Sequence, residues 1–258
     1  MRWIPVVLVL VLALAGCTPV PPSGDSNPQY LQTADDGFLR GEFSQAAGHY
    51  EAFLASNPSH PKRAEILVKA GKCQLGAERP DPAIRLFDEA LALLQGGAVR
   101  WDAAFRRGVA LRMKGETARA LEAFRSAASA PAAERGSAVT DDELHYETAV
   151  AHFRGGDWKQ GQAALTLVRD GGAYRERKAA CQGLVAFTVQ VGSYAQESHA
   201  RAQESKLKFH VPSAAVRPVA GADPRFLVSA GSFARYDDAR READRLRSLG
   251  FTDAFVIP

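Results

Sequence analysis

The chain has 258 residues, of which 46% are hydrophobic and 24% charged, and its formal net charge is +3. These values are typical of a folded protein of one or two domains, and they exclude a wholly disordered chain and a multi-span membrane protein. A charge this small, without a clustered basic arm, argues against a nucleic-acid partner. Three cysteines are too few for a disulfide scaffold or a four-ligand zinc site.

The N-terminus has the pattern of a secretory signal. Arg2 supplies a positive charge, and the apolar run from Trp3 to Gly16 is shorter than the roughly 18 residues that a membrane span needs. The run ends in Leu-Ala-Gly directly before Cys17. We therefore assign residues 1–16 as a signal peptide.

Small residues directly before Cys17 resemble the bacterial lipobox. The resemblance implies cleavage before Cys17 and lipidation of that residue, and Thr18 in place of Asp implies transport to the outer membrane, with the protein facing the periplasm. Several acyl chains would anchor the chain firmly, since each buried methylene contributes about 0.8 kcal/mol. Residues 17–28 are rich in Pro and Ser and predict a flexible tether. The alternative is an ordinary secretory signal with a chance cysteine.

A helical repeat follows the tether. A small residue recurs with a larger apolar residue at i+4 and a further apolar residue at i+7, which is one face of a helix, and the unit returns after 37, 37 and 41 residues. The matching triplets are Ala46, Tyr50 and Phe53; Ala83, Phe87 and Ala90; Ala120, Phe124 and Ala127; and, more weakly, Gly161, Leu165 and Val168.

Two further positions recur with the same period. A turn position precedes each triplet, and a small residue lies further back, where a second helix would have to approach closely. The turn positions are Gly41, Glu78, Gly115 and Gly156, and the small positions are Ala34, Gly71, Gly108 and Ala149. The sequence therefore predicts stacked helix–turn–helix units.

This pattern resembles the tetratricopeptide repeat, a helix–turn–helix of about 34 residues. We expect about four repeats and a closing helix over 29–185, and the alternative is a helical bundle with chance periodicity. The resemblance implies a groove that binds a protein or peptide partner and does not imply an enzyme. Groove candidates on the first helices are Lys72, Arg112, Tyr146 and Arg154, and the alternative for each is solvated surface.

A second domain begins near residue 186, where the helical period stops. Residues 187–196 alternate like a half-buried strand, and residues 226–235 repeat the same offsets of aromatic, Val, Gly, Ser, aromatic and Ala. A helical stretch follows each copy, at 199–208 and 237–249. Further strands are predicted at 211–219, restricted by two prolines to an edge, and at 251–257. This order predicts an α+β domain of βαββαβ topology, with a four-stranded antiparallel sheet and two helices on one face.

The doubled motif VQVGSY and VSAGSF, followed by Leu-Gly-Phe near the C-terminus, resembles the SPOR domain over 186–258. The resemblance implies binding to peptidoglycan glycan strands that have lost their stem peptides, as found at the division septum. The uncovered face of the sheet is the expected site, because its amide and hydroxyl groups suit a sugar polymer. The candidate glycan-binding residues are Thr188, Gln190, Ser193, Tyr194, Leu227, Ser229 and Ser232.

Two departures weaken the expected glycan site. Ser229 is shorter than the polar residue often found at its position in this family, and the domain contains no Trp, so strong stacking on sugar rings is not expected. Binding would then depend in part on avidity from the membrane anchor. Gln190 and Ser193 could instead be ordinary exposed strand and turn residues.

Motifs of catalysis are lacking in the sequence. It has no HExxH, GxSxG, P-loop or GxGxxG pattern, and His145 and His152 lie two helical turns apart, too far for one metal ion. We expect no catalytic residue, no metal and no cofactor, and we expect Cys73 and Cys181 to be small buried residues.

Three functions remain open at this point. The first is a non-enzymatic lipoprotein adaptor in cell division or cell-wall maintenance, which binds glycan through the C-terminal domain and a protein through the repeats. The second is an outer-membrane protein-assembly scaffold whose C-terminal domain is only structural. The third is a wall-modifying enzyme, for which the sequence offers no convincing acid–base pair.

Overall fold

The structure is a computed structural model, and it describes residues 28–136, 139–219 and 225–257. The predicted signal peptide, Cys17 and the tether up to residue 27 lie outside the described residues. Within these described residues, eight helices form four helix–turn–helix pairs, followed by a short ninth helix and by a sheet domain with two more helices. The predicted fold class is confirmed: a helical solenoid of tetratricopeptide type precedes a small α+β domain.

The four pairs follow the predicted repeats. They are α1 (Pro28–Leu39) with α2 (Phe43–Ser56), α3 (Arg63–Gly76) with α4 (Pro80–Leu93), α5 (Gly97–Lys114) with α6 (Thr117–Ser129), and α7 (Asp141–Gly155) with α8 (Trp158–Thr166). The helix α9 (Arg175–Cys181) closes the array. A 3₁₀ turn at 132–134 lies in the longer connection between the third and fourth pairs.

The turn inside each pair uses the left-handed backbone region. Gly41, Gly115 and Gly156 have φ of 77°, 93° and 87°, and Glu78 takes the same conformation with φ of 57°. Glycine adopts this region without a steric cost, whereas a residue with a Cβ atom does not. The recurring turn position of the sequence is therefore a backbone requirement, and Glu78 is strained in meeting it.

In the second and third pairs, a glycine of the first helix lies 16 positions before a phenylalanine of the second helix. A Cβ atom on Gly71 would lie 2.6 Å from the Phe87 ring, and one on Gly108 would lie 2.8 Å from the Phe124 ring. Both rings are fully buried. The fourth pair reverses this arrangement, because Phe153 of the first helix packs on Gly161 of the second. These contacts set the close approach of the two helices in each pair.

The C-terminal domain is a four-stranded antiparallel sheet in the order β2-β3-β1-β4. Its strands are β1 (Phe187–Tyr194), β2 (Ala215–Val219), β3 (Arg225–Phe233) and β4 (Phe255–Ile257), and its helices are α10 (Glu197–Lys208) and α11 (Tyr236–Ser248). As predicted, the proline-containing strand β2 is an edge strand. The closing strand is shorter than predicted, because residues 251–254 form a turn.

One face of the sheet carries the core of this domain. Val189, Val191, Val228 and Ala230 are all buried toward the helices, as the alternation predicts, and Leu246 of α11 is buried with them. The same cluster continues into the last repeat, where it includes Ala149, Phe153, Leu165 and Val168. The last repeat and the sheet domain therefore share one hydrophobic core.

Candidate functional site

The face of the sheet opposite the helices presents a row of four paired residues. Gln190 of β1 lies between Ser229 of β3 and Phe255 of β4, and Ser229 is also paired with Ala215 of β2. Antiparallel partners point to the same side of a sheet. Gln190 and Ser229 are half-buried, whereas Phe255 is 46% exposed. An amide, a hydroxyl and an aromatic ring therefore share one accessible surface, which we call the open face.

A β-bulge adds Ser193 to this surface. Residues three apart on a regular strand point to opposite faces, but the β1–β3 register shifts between Gln190 and Gly192, where β1 has one extra residue. Ser193 is consequently paired with Leu227, which in turn is paired with Arg217 of the edge strand. Ser193 and Arg217 are exposed. A second row of the open face thus combines a hydroxyl, an apolar side chain and a guanidinium.

The glycines of the doubled motif make room for the aromatic residues that follow them. A Cβ atom on Gly192 would lie 2.6 Å from the Tyr194 ring, and one on Gly231 would lie 2.5 Å from the Phe233 ring. Gly231 also has a left-handed φ of 70°. Each Gly-Ser-aromatic unit therefore folds the ring back over its own glycine, which explains the glycine two residues before each aromatic residue.

Tyr194 does not join the other candidate glycan residues on the open face. It is paired with Phe226 on the side of Val228 and packs against the core that α10 and α11 cover. Burial, together with Asp253, raises the pKa of its hydroxyl. The bulge that brings Ser193 to the open face turns the next residue to the opposite face.

Two other candidates lie beside the main row. The hydroxyl of Thr188 donates to the carbonyls of Ala230 and Gly231, at 3.2 and 2.9 Å, so its hydrogen is engaged within the sheet. Ser232 is exposed within the second register shift, between Ala230 and Phe233. Thr188 therefore stabilises the register shift between Ala230 and Phe233, and Ser232 is the exposed residue of that shift.

Phe255 and Arg217 of the open face were not among the candidate glycan-binding residues predicted from the sequence. Both residues lie in strands whose register could not be read from the sequence, since β4 has three residues and β2 contains Pro218. The only sequence signal was the alternation of Phe255, Val256 and Ile257, which places the first and third residues on one face. Phe255 gives the open face an exposed aromatic ring, although the domain contains no Trp.

The groove candidates Lys72 and Arg112 are engaged in ion pairs with the next repeat. Lys72 pairs with the buried carboxylate of Asp102, and Arg112 pairs with Glu147 at 2.6 Å. Their side chains are 25% and 15% exposed. These two residues bridge the first helices of successive repeats, and their role in a partner-binding groove stays a prediction.

Arg106 extends this charged contact between repeats. It pairs with Glu143 at 2.5 Å and with Asp102 at 3.3 Å. Burial lowers the pKa of the Arg106 guanidinium, but the two carboxylates outweigh burial and raise it. Asp142 of the same acidic segment is buried and accepts hydrogen bonds from the backbone N and the Nε of Arg169, at 3.1 and 2.9 Å. The acidic start of α7 thus holds neighbouring elements in place.

The other two groove candidates, Tyr146 and Arg154, lie at the junction with the sheet domain. The Tyr146 ring packs on Tyr174, with the centroids 5.2 Å apart, and burial followed by Cys181 and Glu147 raises its pKa to about 12. The Arg154 guanidinium lies 3.9 Å from the centroid of the Tyr236 ring. Both side chains line a cavity of about 210 Å³ between the two domains.

The junction between the domains is aromatic. Trp158 stacks on Phe153 and contacts Phe187 of β1, with centroids 5.2 and 4.9 Å apart, and its indole N–H donates to the carbonyl of Ala234 at 2.9 Å. Phe187 contacts Tyr236 edge to face. These contacts fix the C-terminal domain against the fourth repeat.

The two remaining cysteines differ in environment. Cys73 is fully buried in the second repeat, and burial followed by Asp35 raises its pKa to about 11. Cys181 is half-buried at the end of α9, and burial raises its pKa as well. The prediction of a small buried residue is accurate for Cys73, whereas Cys181 borders the cavity between the domains.

Within the part of the chain that the structure describes, no group of three or more His, Cys, Asp and Glu side chains is arranged to hold a metal ion. None of the helices described there combines the length and apolar character that crossing a bilayer requires.

Comparison with known families identifies both parts of the molecule. A helical array of this kind followed by a βαββαβ sheet defines a repeat protein with an appended sheet domain. The chain contains tetratricopeptide repeats, matched over residues 33–98 and 68–138, and a C-terminal SPOR domain, matched over residues 184–258. The fourth helix pair lies beyond the matched repeats. The resemblances to the tetratricopeptide repeat and to the SPOR domain are confirmed, and the resemblance to the lipobox stays a prediction.

Solved structures are similar to a large part of this chain. YrrB, described as a TPR protein with an unusual peptide-binding site, is 15% identical and covers 63% of this chain and 76% of its own, with a TM-score of 0.50. A MamA protein is 21% identical over 63% of this chain and 81% of its own, with a TM-score of 0.49. A tetratricopeptide repeat protein from Parabacteroides merdae is 13% identical over 73% and 68%, with a TM-score of 0.46. No curated protein matches the chain.

Proposed function

We propose that the protein is a non-enzymatic envelope adaptor that binds peptidoglycan glycan strands through the open face and a protein partner through its repeats. The SPOR domain belongs to a peptidoglycan-binding family, and tetratricopeptide repeats are typical of protein interaction. Both kinds of domain are typically non-catalytic. The single observation that carries the glycan assignment is the row in which Gln190 lies between Ser229 and Phe255.

The chemistry of the open face suits a glycan. Sugar chains offer hydroxyl and amide groups along their edges and apolar surfaces on their ring faces. The Gln190 amide both donates and accepts hydrogen bonds, Ser193 does the same, and Arg217 adds a donor at the edge. Leu227 offers apolar surface between Ser193 and Arg217, and Phe255 offers apolar surface beside Gln190 at the β4 edge. We expect strands without stem peptides to bind best, as the resemblance to the SPOR family implies.

The proposed location is the periplasmic face of the outer membrane. Its support is the apolar segment before Cys17, which is the proposed site of lipidation, and the presence of Thr18 rather than Asp. A tether of about eleven residues reaches at most about 36 Å, so the folded part would remain near the membrane. A role in cell division or cell-wall maintenance follows from the proposed preference for denuded, septal glycan.

A pulldown with insoluble sacculi tests the glycan assignment. Half of the sacculi are treated with an amidase that removes stem peptides. We expect stronger binding to the treated wall, with loss of binding in the double variant Gln190→Ala and Phe255→Ala. Phe209→Ala is the control, because Phe209 is 87% exposed at the end of α10, outside the open face. Equal binding by the double variant would refute the assignment.

Point variants are preferable to deletion of residues 186–258. Phe153 and Leu165 of the last repeat share the core of the sheet domain, so deletion would expose them to water. Loss of binding after deletion would then be ambiguous. The same preparations incubated with sacculi would release soluble muropeptides only if the protein were an enzyme.

The alternative is an outer-membrane protein-assembly scaffold whose C-terminal domain is structural only. The shared core of the last repeat and the sheet domain favours it, since such a domain would stabilise the repeats without binding anything. Under this alternative, treated and untreated sacculi bind equally weakly, and the open-face variants behave as the parent protein does.

A further inference from the structure

The cavity between the two domains has an apolar lining with one cation. Its walls come from α7, α8 and the end of α9, from Leu184, and from β1 and α11 of the SPOR domain, so neither domain forms it alone. The volume is about 210 Å³. The main apolar side chains lining it are Tyr146, Val150, Phe153, Trp158, Phe187 and Tyr236.

Arg154 is the cation of this cavity, and its hydrogen-bonding capacity is incompletely used. Its guanidinium lies over the Tyr236 ring, while its Nε atom is buried and makes no hydrogen bond. No salt bridge joins Arg154 to a carboxylate among the described residues. Most arginines on the neighbouring first helices, such as Arg106 and Arg112, have such a partner.

The surroundings of Arg154 favour an additional negative charge. Burial is the largest effect on its pKa and lowers it, and the nearby Arg112 and Arg240 lower it further, while Tyr236 and Asp237 act in the opposite direction. A buried donor without an acceptor is unfavourable, and more so when the group is charged. A carboxylate placed against the Arg154 guanidinium would balance its charge and offset the two neighbouring cations.

The size of the cavity restricts the apolar part of the ligand. Drug-sized ligands occupy pockets of about 300–1,000 Å³, so this cavity suits a group of the size of one large side chain. An apolar side chain directly next to a carboxylate is the chemistry of the last residue of a polypeptide.

We propose that this interdomain cavity binds the C-terminal residue of a partner polypeptide, with an aromatic or large aliphatic side chain in the cavity and the terminal carboxylate on Arg154. This inference rests on the protein-binding half of the proposed function and is independent of the glycan-binding half. Because Phe187 and Tyr236 belong to the SPOR domain, the partner contacts both domains at once. The SPOR domain therefore contributes directly to protein recognition.

Isothermal titration of the full-length chain tests the proposal with a defined probe. The probe is the peptide acetyl-Gly-Gly-Gly-Phe with a free C-terminal carboxylate, and its C-terminal amide is the matched control. We expect the acid to bind at least about ten-fold more tightly than the amide, as a charge-assisted hydrogen bond implies. This comparison uses the unaltered protein, so it does not depend on the folding of any variant.

Variants then locate the site. Arg154→Gln removes the charge and should abolish the preference for the acid, whereas Arg119→Gln, at an exposed position of α6, should retain it. Val150→Trp fills the cavity and should weaken binding of both peptides. The double variant Gln190→Ala and Phe255→Ala should bind the peptide normally, which separates this site from the glycan site.

Three results would overturn the proposal. Equal affinity of the acid and the amide would show that Arg154 does not bind the terminal carboxylate. Lack of binding of both peptides at millimolar concentration would show that the cavity does not bind a C-terminal residue. Octanoate binding as tightly as the peptide acid would show that the cavity accepts free apolar acids rather than polypeptide ends.

Discussion

Gln190 of β1 is paired with Phe255 of β4, so an amide and a phenyl ring lie side by side on the open face of the SPOR domain. Neither side chain belongs to the buried core. The pair therefore offers a polar and an apolar contact to a ligand at little expense to the fold.

The first prediction concerns this pair. Gln190→Ala should weaken binding to amidase-treated sacculi about two- to ten-fold, because one hydrogen bond contributes about 0.5–1.5 kcal/mol. Phe255→Ala should have an effect of similar size through loss of apolar contact. Cosedimentation measures the binding, and unchanged thermal unfolding of both variants serves as the control. Normal binding by both would exclude the open face as the glycan site.

The sequence predicted the parts of the fold that depend on local periodicity. The period of 37 residues identified the helix pairs because one turn position and one small position recur in each, and the structure gives both a physical cause. The doubled Gly-Ser-aromatic motif identified the strands in the same way. Element order was predictable because each of these constraints acts within a short segment.

The candidate site was less predictable because it depends on pairing between distant strands. The extra residue of the β1 bulge places Gln190 and Ser193 on one face and Tyr194 on the other, which regular alternation would not give. Phe255 joins the site only through the β1–β4 register. The ion pairs of Lys72 and Arg112 likewise depend on how successive repeats stack.

The second prediction tests the close approach of helices in the second repeat. Gly71→Ala places a methyl group 2.6 Å from the buried Phe87 ring and should destabilise the protein by about 1–3 kcal/mol through overpacking. Gly48→Ala is the matched control, because Gly48 is an exposed helical residue with no atom within 4 Å of the added methyl group. That control should gain about 0.5–1 kcal/mol. Urea unfolding measures both, and equal effects would contradict the packing argument.

The third prediction concerns the strained turn between α3 and α4. Glu78→Gly should raise the free energy of unfolding by about 1 kcal/mol, because glycine adopts the left-handed conformation without the Cβ clash. Gly115→Ala, at the equivalent turn of the next repeat, should lower it by a similar amount. Thermal unfolding of the two variants provides the measurement. A destabilised Glu78→Gly variant would show that the Glu78 side chain has a stabilising contact.

The fourth prediction is a pH dependence at Asp142. Burial raises the pKa of this carboxyl, but its hydrogen bonds from the backbone and side chain of Arg169 outweigh burial and lower it below the ordinary value. The stabilisation is therefore complete above about pH 4 and is lost as the pH falls through the folded-state pKa. Asp142→Asn should lower the melting temperature at pH 7 and have little effect near pH 2.

Asp141→Asn is the matched control for this prediction. Asp141 lies in the same first turn of α7, so it has the same favourable position at the helix N-terminus, but its side chain is 68% exposed. Its replacement should change stability by less than about 1 kcal/mol at pH 7. A loss at Asp142 that stays constant between pH 7 and pH 2 would contradict the ionic role of the carboxylate.

The fifth prediction concerns the coupling of the two domains through Trp158. The indole contacts Phe153 and Phe187 and donates to the carbonyl of Ala234, so it joins the last repeat to the end of the β1–β3 pair at which Phe187 faces Phe233. Trp158→Ala should destabilise this junction by about 3 kcal/mol. We expect the SPOR domain and the last repeat to unfold together in the parent protein and to separate into two calorimetric transitions in the variant.

Leu167→Ala is the control, because Leu167 is 59% exposed in the same repeat, and this variant should leave a single transition. If amide exchange in β1 and β3 were equally slow in the parent protein and in Trp158→Ala, the SPOR domain would be stable without the repeats, and the shared core would not couple the two domains.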